Sequence, residues 1–170
     1  FAGAASCTNN VAGGAGATIT QTHSAMFAWD GNEGSGPQIG ATNQLQAYRP
    51  MVFAKFLARF GLKDTVADST ATNYALRYSL DAAAYAVVPT FTGAEPIGIC
   101  DAPGVSNGNT TQRITSGSFL AGRVVEVGAG VPTLTLLTNQ STELLYPICF
   151  GPGLVSGTSN LKLKIYKDDG

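Results

Sequence analysis

The sequence predicts a mainly β protein: a β-barrel or β-sandwich, jelly-roll-like, with one short α-helix near 50–60 and an extended N-terminal arm. Three observations predict it. Short apolar runs recur along the chain, divided about every ten residues by Gly, Pro and Asn clusters, the signature of many short strands joined by turns. Tyr74, Leu76, Tyr78 and Leu80 alternate with Ala75, Arg77 and Ser79, the period of a half-buried strand. One stretch breaks the pattern: between Pro50 and Gly61 lies MVFAKFLARF.

Taken in order, residues 1–17 are mostly Ala, Gly, Ser, Thr and Asn, with Phe1, Cys7 and a single Val. They have little to bury and too much Gly to hold a helix, so they read as an arm ahead of a single β-rich domain over 18–170. Ala17–His23 is Thr-rich and strand-like. Asp30–Pro37 is a Gly-rich turn or exposed loop. In the helix expected near 50–60, Pro50 occupies the first helical position and Gly61 the terminating one. Phe53, Phe56, Leu57 and Phe60 then share a face at helical spacing, with Lys55 and Arg59 opposite. A strand there would mix Phe53 and Leu57 with Lys55 and Arg59.

Strands follow at Tyr74–Leu80, Tyr85–Val88, Pro96–Cys100, Ser118–Val127, Thr133–Thr138, Leu144–Phe150 and Leu161–Tyr166. The expected core is Leu76, Tyr78, Ile97, Ile99, Val125, Leu136, Ile148, Phe150, Leu163 and Ile165, with Phe53, Phe56 and Phe60 packed on it. Pro96-Ile97-Gly98-Ile99 and Pro147-Ile148-Cys149-Phe150 echo one another, each followed by a Gly-rich loop and a further segment, TTQRI and LKLKI. Two similar hairpin units would produce that echo.

Composition bounds the function. The chain has 170 residues, ten basic against eleven acidic, and 12% charged residues, against about 25% in an average soluble protein. No cationic excess exists to displace counterions from nucleic acid, and 44% hydrophobic residues exclude a disordered chain. No apolar run is long enough for a transmembrane helix. The first twenty residues lack the basic and apolar regions of a signal peptide. A start at Phe1 fits a fragment or a processed chain.

Cys7, Cys100 and Cys149 have no metal-type spacing. An odd count allows one bridge and a free thiol, or three reduced thiols; the ease with which free Cys packs as a small apolar residue favours the latter. Asn109-Thr110-Thr111 and Asn139-Gln140-Ser141 match the glycosylation triplet.

No catalytic, cofactor-binding or metal site is expected, and no cofactor. His23 is the lone histidine and reads as an ordinary strand residue. The carboxylates are scattered and lie mostly in turns. Asp30-x-Asn32-x-Gly34 opens like a calcium loop, but Ala41 stands where the closing Glu belongs. Gly13-Gly14-Ala15-Gly16 lacks the context of a phosphate loop.

From Ala82 onward, AYAVV, GAEPIGICDAPG, GRVVEVGAGVP, YPICFGPG and LKLKIYK follow one another. That half of the chain resembles small phage head-decoration proteins, and Ala28-Trp29-Asp30-Gly31 is similar to a turn in one such family. The resemblance implies a β-rich, non-enzymatic subunit on a virion surface, partnered by itself, often as a trimer, and by a capsid lattice. The trimeric jelly-roll head of the tumour-necrosis-factor type is similar too, and implies a lectin or receptor-binding role. The arm allows a third reading, a subunit of an extracellular filament or pilus assembled by strand addition to neighbouring subunits. None of the three takes a nucleic-acid partner.

Overall fold

The structure is a computed structural model and describes residues 10–12, 18–43, 55–104, 108–152, 154 and 161–168. It is mainly β, in two largely antiparallel sheets. The larger joins β1 (Asn10–Ala12), β2 (Thr18–Ala28), β4 (Lys55–Asp64), β10 (Ser141–Phe150) and β7 (Ile97–Ile99), with β3 (Gln38–Ile39) beside β2 and β8 (Arg123–Val124) beside β10. The smaller joins β11 (Leu161–Lys167), β5 (Thr72–Leu80) and β6 (Ala86–Val87), with β9 (Thr133–Leu134) also on β5. Neither sheet closes into a barrel among the described residues.

The two sheets share one core. Phe56, Ala58, Phe60 and Leu62 of β4 and Leu144, Tyr146, Ile148 and Phe150 of β10 meet Tyr74, Leu76, Leu163 and Ile165. The alternation in β5 and β11 delivers those residues as the sequence predicts. Ile97, Val125 and Leu136 are buried as expected, while Tyr78 and Ile99 are partly buried against the core. Phe53 and Pro50 lie outside the described residues.

The helix expected near 50–60 does not form: Lys55–Asp64 is the strand β4. Phe56 and Phe60 fit one face of a helix, but they equally fit one face of a strand. On the other face, Leu57 and Arg59 are both buried, at 1% and 0% exposure. A strand buried on both faces reads as a continuous apolar run, without alternation. The mixture that argued against a strand exists because Arg59 has buried partners and the Lys55 ammonium at the strand's start donates to the Asp101 carbonyl (2.7 Å).

β2 changes parity midway. Ile19 and Gln21 face the core, and a bulge between Gln21 and His23 shifts the register on β4. Beyond it Met26 packs on the main core while Ala25 and Phe27 join Leu57, Val124 and Leu145 on the opposite face. One extra residue swaps which side chains point inward. Gln21 then reaches the smaller sheet, where its Oε1 accepts the Ile165 amide (3.0 Å) on the free edge of β11.

Other expectations change in detail. Only Arg123–Val124 and Thr133–Leu134 of the long runs 118–127 and 133–138 are strands. The two echoing segments are not separate units, because β7 pairs with β10 and aligns Ile97 with Phe150 and Ile99 with Ile148. The TTQRI segment forms no strand, whereas LKLKI opens β11. Within the arm, Asn10–Ala12 pair with Thr18–Thr20 of the same chain; the rest of 1–17 lies outside the described residues.

The expectation of three reduced thiols is also corrected. Cys100 and Cys149 form a disulfide, while Cys7 lies outside the described residues. The β7–β10 register explains the bridge: it brings the two Cα atoms to 5.8 Å, within bridging range. The bridge spans 49 residues, which in the chain-entropy model stabilises the fold by about 4 kcal/mol. Replacing both cysteines with Ala should therefore lower the melting temperature while leaving a β-type circular dichroism spectrum. An unchanged melting temperature would show that the bridge contributes nothing.

Candidate functional site

The charged groups that sequence reasoning left scattered converge on the outer face of the larger sheet. Arg59 of β4 and Glu143 of β10 are both fully buried, with Nη1 and Oε2 2.6 Å apart. Arg59 Nη1 also donates to the Thr111 carbonyl (2.6 Å), and Nη2 to the Glu33 carbonyl (3.2 Å) and carboxylate. The Glu143 carboxylate accepts three consecutive backbone amides, from Arg113, Ile114 and Thr115, and the Thr115 hydroxyl, at 2.8–3.1 Å. Such a row of amides is an anion-binding nest. The Arg113 guanidinium stacks 4.2 Å from the Phe27 ring centroid and closes the layer.

Burial alone would raise the Glu143 pKa; the Arg59 hydrogen bond and the three amides outweigh it and hold the carboxyl below its ordinary value. The cluster has no surface for a substrate: Arg59 and Glu143 are fully buried and Glu33 is 15% exposed. Its chemistry is that of a clasp, tying the loops around Glu33 and 111–115 onto the sheet.

Each residue singled out from sequence has a local role. His23 lies opposite Gly61 on β4 and its Nδ1 is 2.9 Å from the Thr22 hydroxyl. Asp30 accepts the Asn32 amide and the Ser35 hydroxyl, and Asn32 accepts the Gly34 amide, so the calcium-like segment folds on itself. No group of three metal-ligating residues occurs among the described residues. Of the glycosylation triplets, Asn109 and Asn139 are exposed, but the Thr111 hydroxyl bonds to Glu33 and Ser141 is buried.

Sequence reasoning missed Arg59, Glu143 and Glu33. The available signal was a single charge in the middle of each of two apolar runs, FLARFGL and STELLYP, with opposite signs.

The smaller sheet differs on its outer face. Lys164 pairs directly across from Arg77, a like-charge pairing that costs stability in a sheet. Lys164 Nζ lies 5.4 and 5.0 Å from the centroids of Tyr85 and Tyr166, and the Arg77 guanidinium 5.1 Å from Tyr166. These stacks offset the repulsion. No carboxylate pairs with Arg77, Lys162 or Lys164 among the described residues. Beside Arg77, Val87 is 53% exposed.

A half-open apolar cleft of about 190 Å³ enters between the sheets past Val87, Val127 and Val131 to Tyr146. Burial pushes the Tyr146 hydroxyl pKa up, and the group has no hydrogen-bond partner among the described residues.

No protein-family model, curated protein or solved structure matches the chain.

Two predictions follow from the clasp. Glu143→Gln strips Arg59 of its fully buried counter-ion, leaving only the partly exposed Glu33, and should cost about 2–3 kcal/mol. Because folding lowers the Glu143 pKa from its ordinary 4.5, its stabilisation is present above that value and is lost as pH falls through the folded value. Unfolding in urea as a function of pH should thus show an acid limb that Glu143→Gln flattens; an unchanged limb would assign it to other carboxylates. Gly61 faces the same clasp. A Cβ there would collide with the Thr115 methyl and lie 3.3 Å from the His23 Cβ. Gly61→Ala should destabilise by about 1–3 kcal/mol and raise amide exchange at 113–115, whereas unaltered exchange there would disprove the close approach.

Proposed function

We propose that the protein is a non-enzymatic structural subunit that assembles on a virion surface, of the capsid-decoration type. The observation that carries this reading is the contrast between the two outer faces. The larger sheet is covered by its own loops and seals its charges inside. The smaller leaves Val87 exposed and Arg77, Lys164, Tyr85 and Tyr166 partly exposed on its outer face, where Ala75 and Ser79 are buried. Tyr and Arg are the residue types enriched where proteins bind one another. On this reading the two sheets form a jelly-roll-like sandwich whose smaller sheet is the contact layer.

Further support comes from the disulfide, which suits virion and extracellular surfaces, and from the resemblance of the C-terminal half to head-decoration proteins. Low charge suits a subunit whose surface is covered by neighbours. A filament subunit is the second reading. It is favoured by β1, which lies on the outer edge of β2 at Thr18–Thr20, a position that an equivalent segment of a neighbour could take by strand exchange.

The test is microscopy of native material with the full chain and with residues 1–16 deleted. Subunits bound at regular positions on a shell are expected, with the deletion folding but assembling less well, since it uncovers the β2 edge. A native protein recovered only as free monomer, never on a particle or fibre, would overturn the assembly reading.

A further inference from the structure

We infer that the outer face of the smaller sheet binds a second copy of this chain, head to tail, through the loop pair that carries Asp68. This rests on the assembly reading and names the contact.

The face is cationic in a chain that is not. Setting aside Arg77, Lys162 and Lys164 leaves seven basic against eleven acidic residues elsewhere. The field of a second copy therefore orients its acidic side toward this face. Stacking holds Arg77 and Lys164 against tyrosine rings, so little side-chain freedom is lost when a carboxylate arrives. Val87 adds an exposed apolar group beside the charges.

The complement is a different surface of the same molecule. The segment 64–69 and the turn 136–140 interlock: the Asp64 amide donates to the Gln140 carbonyl (3.1 Å), the Asn139 amide to the Asp64 carbonyl (2.9 Å) and the Ser69 amide to the Leu136 carbonyl (2.8 Å). On this braced pair, Val66 is 58% and Leu137 55% exposed. Asp68, two residues after Val66, is exposed, and its Oδ1 accepts the amide and hydroxyl of Thr138, next to Leu137, at 2.7 and 2.9 Å. The anchoring of Oδ1 also orients Oδ2. A carboxylate flanked by two exposed apolar residues matches two cations flanked by one exposed valine and two tyrosines.

Because the two patches are different surfaces, the contact is heterologous: it forms a ring if the rotation closes and a fibre if it does not. A two-fold dimer would instead set the cationic face against itself.

The experiment uses sedimentation velocity on the full chain, with circular dichroism melts as the folding control. Wild type should self-associate at low salt and dissociate at high salt. Arg77→Ala/Lys164→Ala removes one half of the contact and Asp68→Ala the other, so each variant alone should be monomeric. Mixed, they retain one intact half each and should form a heterodimer that grows no further. Lys164→Ala alone provides a milder test if the double variant melts early. Variants that still self-associate, or a mixture that stays monomeric, would overturn the inference. A wild type that stays monomeric alone yet joins a foreign shell would also overturn it while leaving the assembly reading intact.

Discussion

The Arg59–Glu143 pair sets the register of the central strands. β4 and β10 pair over nine residues, with Glu143 opposite Gly61 and Leu145 opposite Arg59. In that register both charges lie on the loop-covered face, and Phe60 and Leu144 meet in the core. A slip of β4 by one residue would turn Arg59 into the core against Leu144, Tyr146 and Leu76, with no partner, and put Phe56, Ala58 and Leu62 on the loop side. An unpaired buried charge costs far more than any single apolar contact returns. The pair is therefore not a large net source of stability, because its desolvation cancels much of its attraction. Its effect is to make every alternative register much worse.

The same clasp decides which faces the molecule shows to its surroundings. Glu143 recruits the amides of 113–115, and Arg59 recruits Glu33 and the Thr111 carbonyl. Two long connections are thereby laid over the larger sheet, and Gly61 leaves room for the crossing. This is why all ten residues of β10 are buried. The smaller sheet has no equivalent clasp among the described residues, so its outer face stays partly exposed and its cations are stacked on tyrosines instead of being neutralised.

How much of this was legible depended on how many faces of a strand are buried. β11 alternates because one face is open, and the sequence shows it nearly residue for residue; β5 shares the pattern in its core residues Tyr74 and Leu76, although Ala75 and Ser79 on its other face are buried too. β4 does not alternate, since Leu57 and Arg59 are as buried as Phe56 and Phe60. Pro50 and Gly61 then look like helix punctuation. Gly61 in fact sits mid-strand, serving a close approach by Thr115 that no local pattern encodes. Glu143 and Arg59 lie 84 positions apart and become partners only through the sheet pairing. The disulfide was hidden for the same reason: it follows from the β7–β10 register, not from spacing.

Edges complete the physical account. An exposed strand edge invites pairing by other chains, and the two sheets protect theirs differently. β2 has β1 along Thr18–Thr20 and β3 along Met26–Phe27. β11 pairs with no described strand beyond it, although β1 comes close, and its edge is managed by chemistry. Lys162, Lys164 and Lys167 punctuate the strand, and charged side chains, Lys above all, blunt edge-to-edge pairing. The Ile165 amide, which points away from β5, is taken by the Gln21 side chain. Gln21 can do this only because it precedes the bulge; after the bulge its parity would turn it to the loop side. A single extra residue in β2 thus aims Phe27 at the clasp and Gln21 at the far edge of the other sheet. The outer face of the smaller sheet keeps its cations, stacked on Tyr85 and Tyr166.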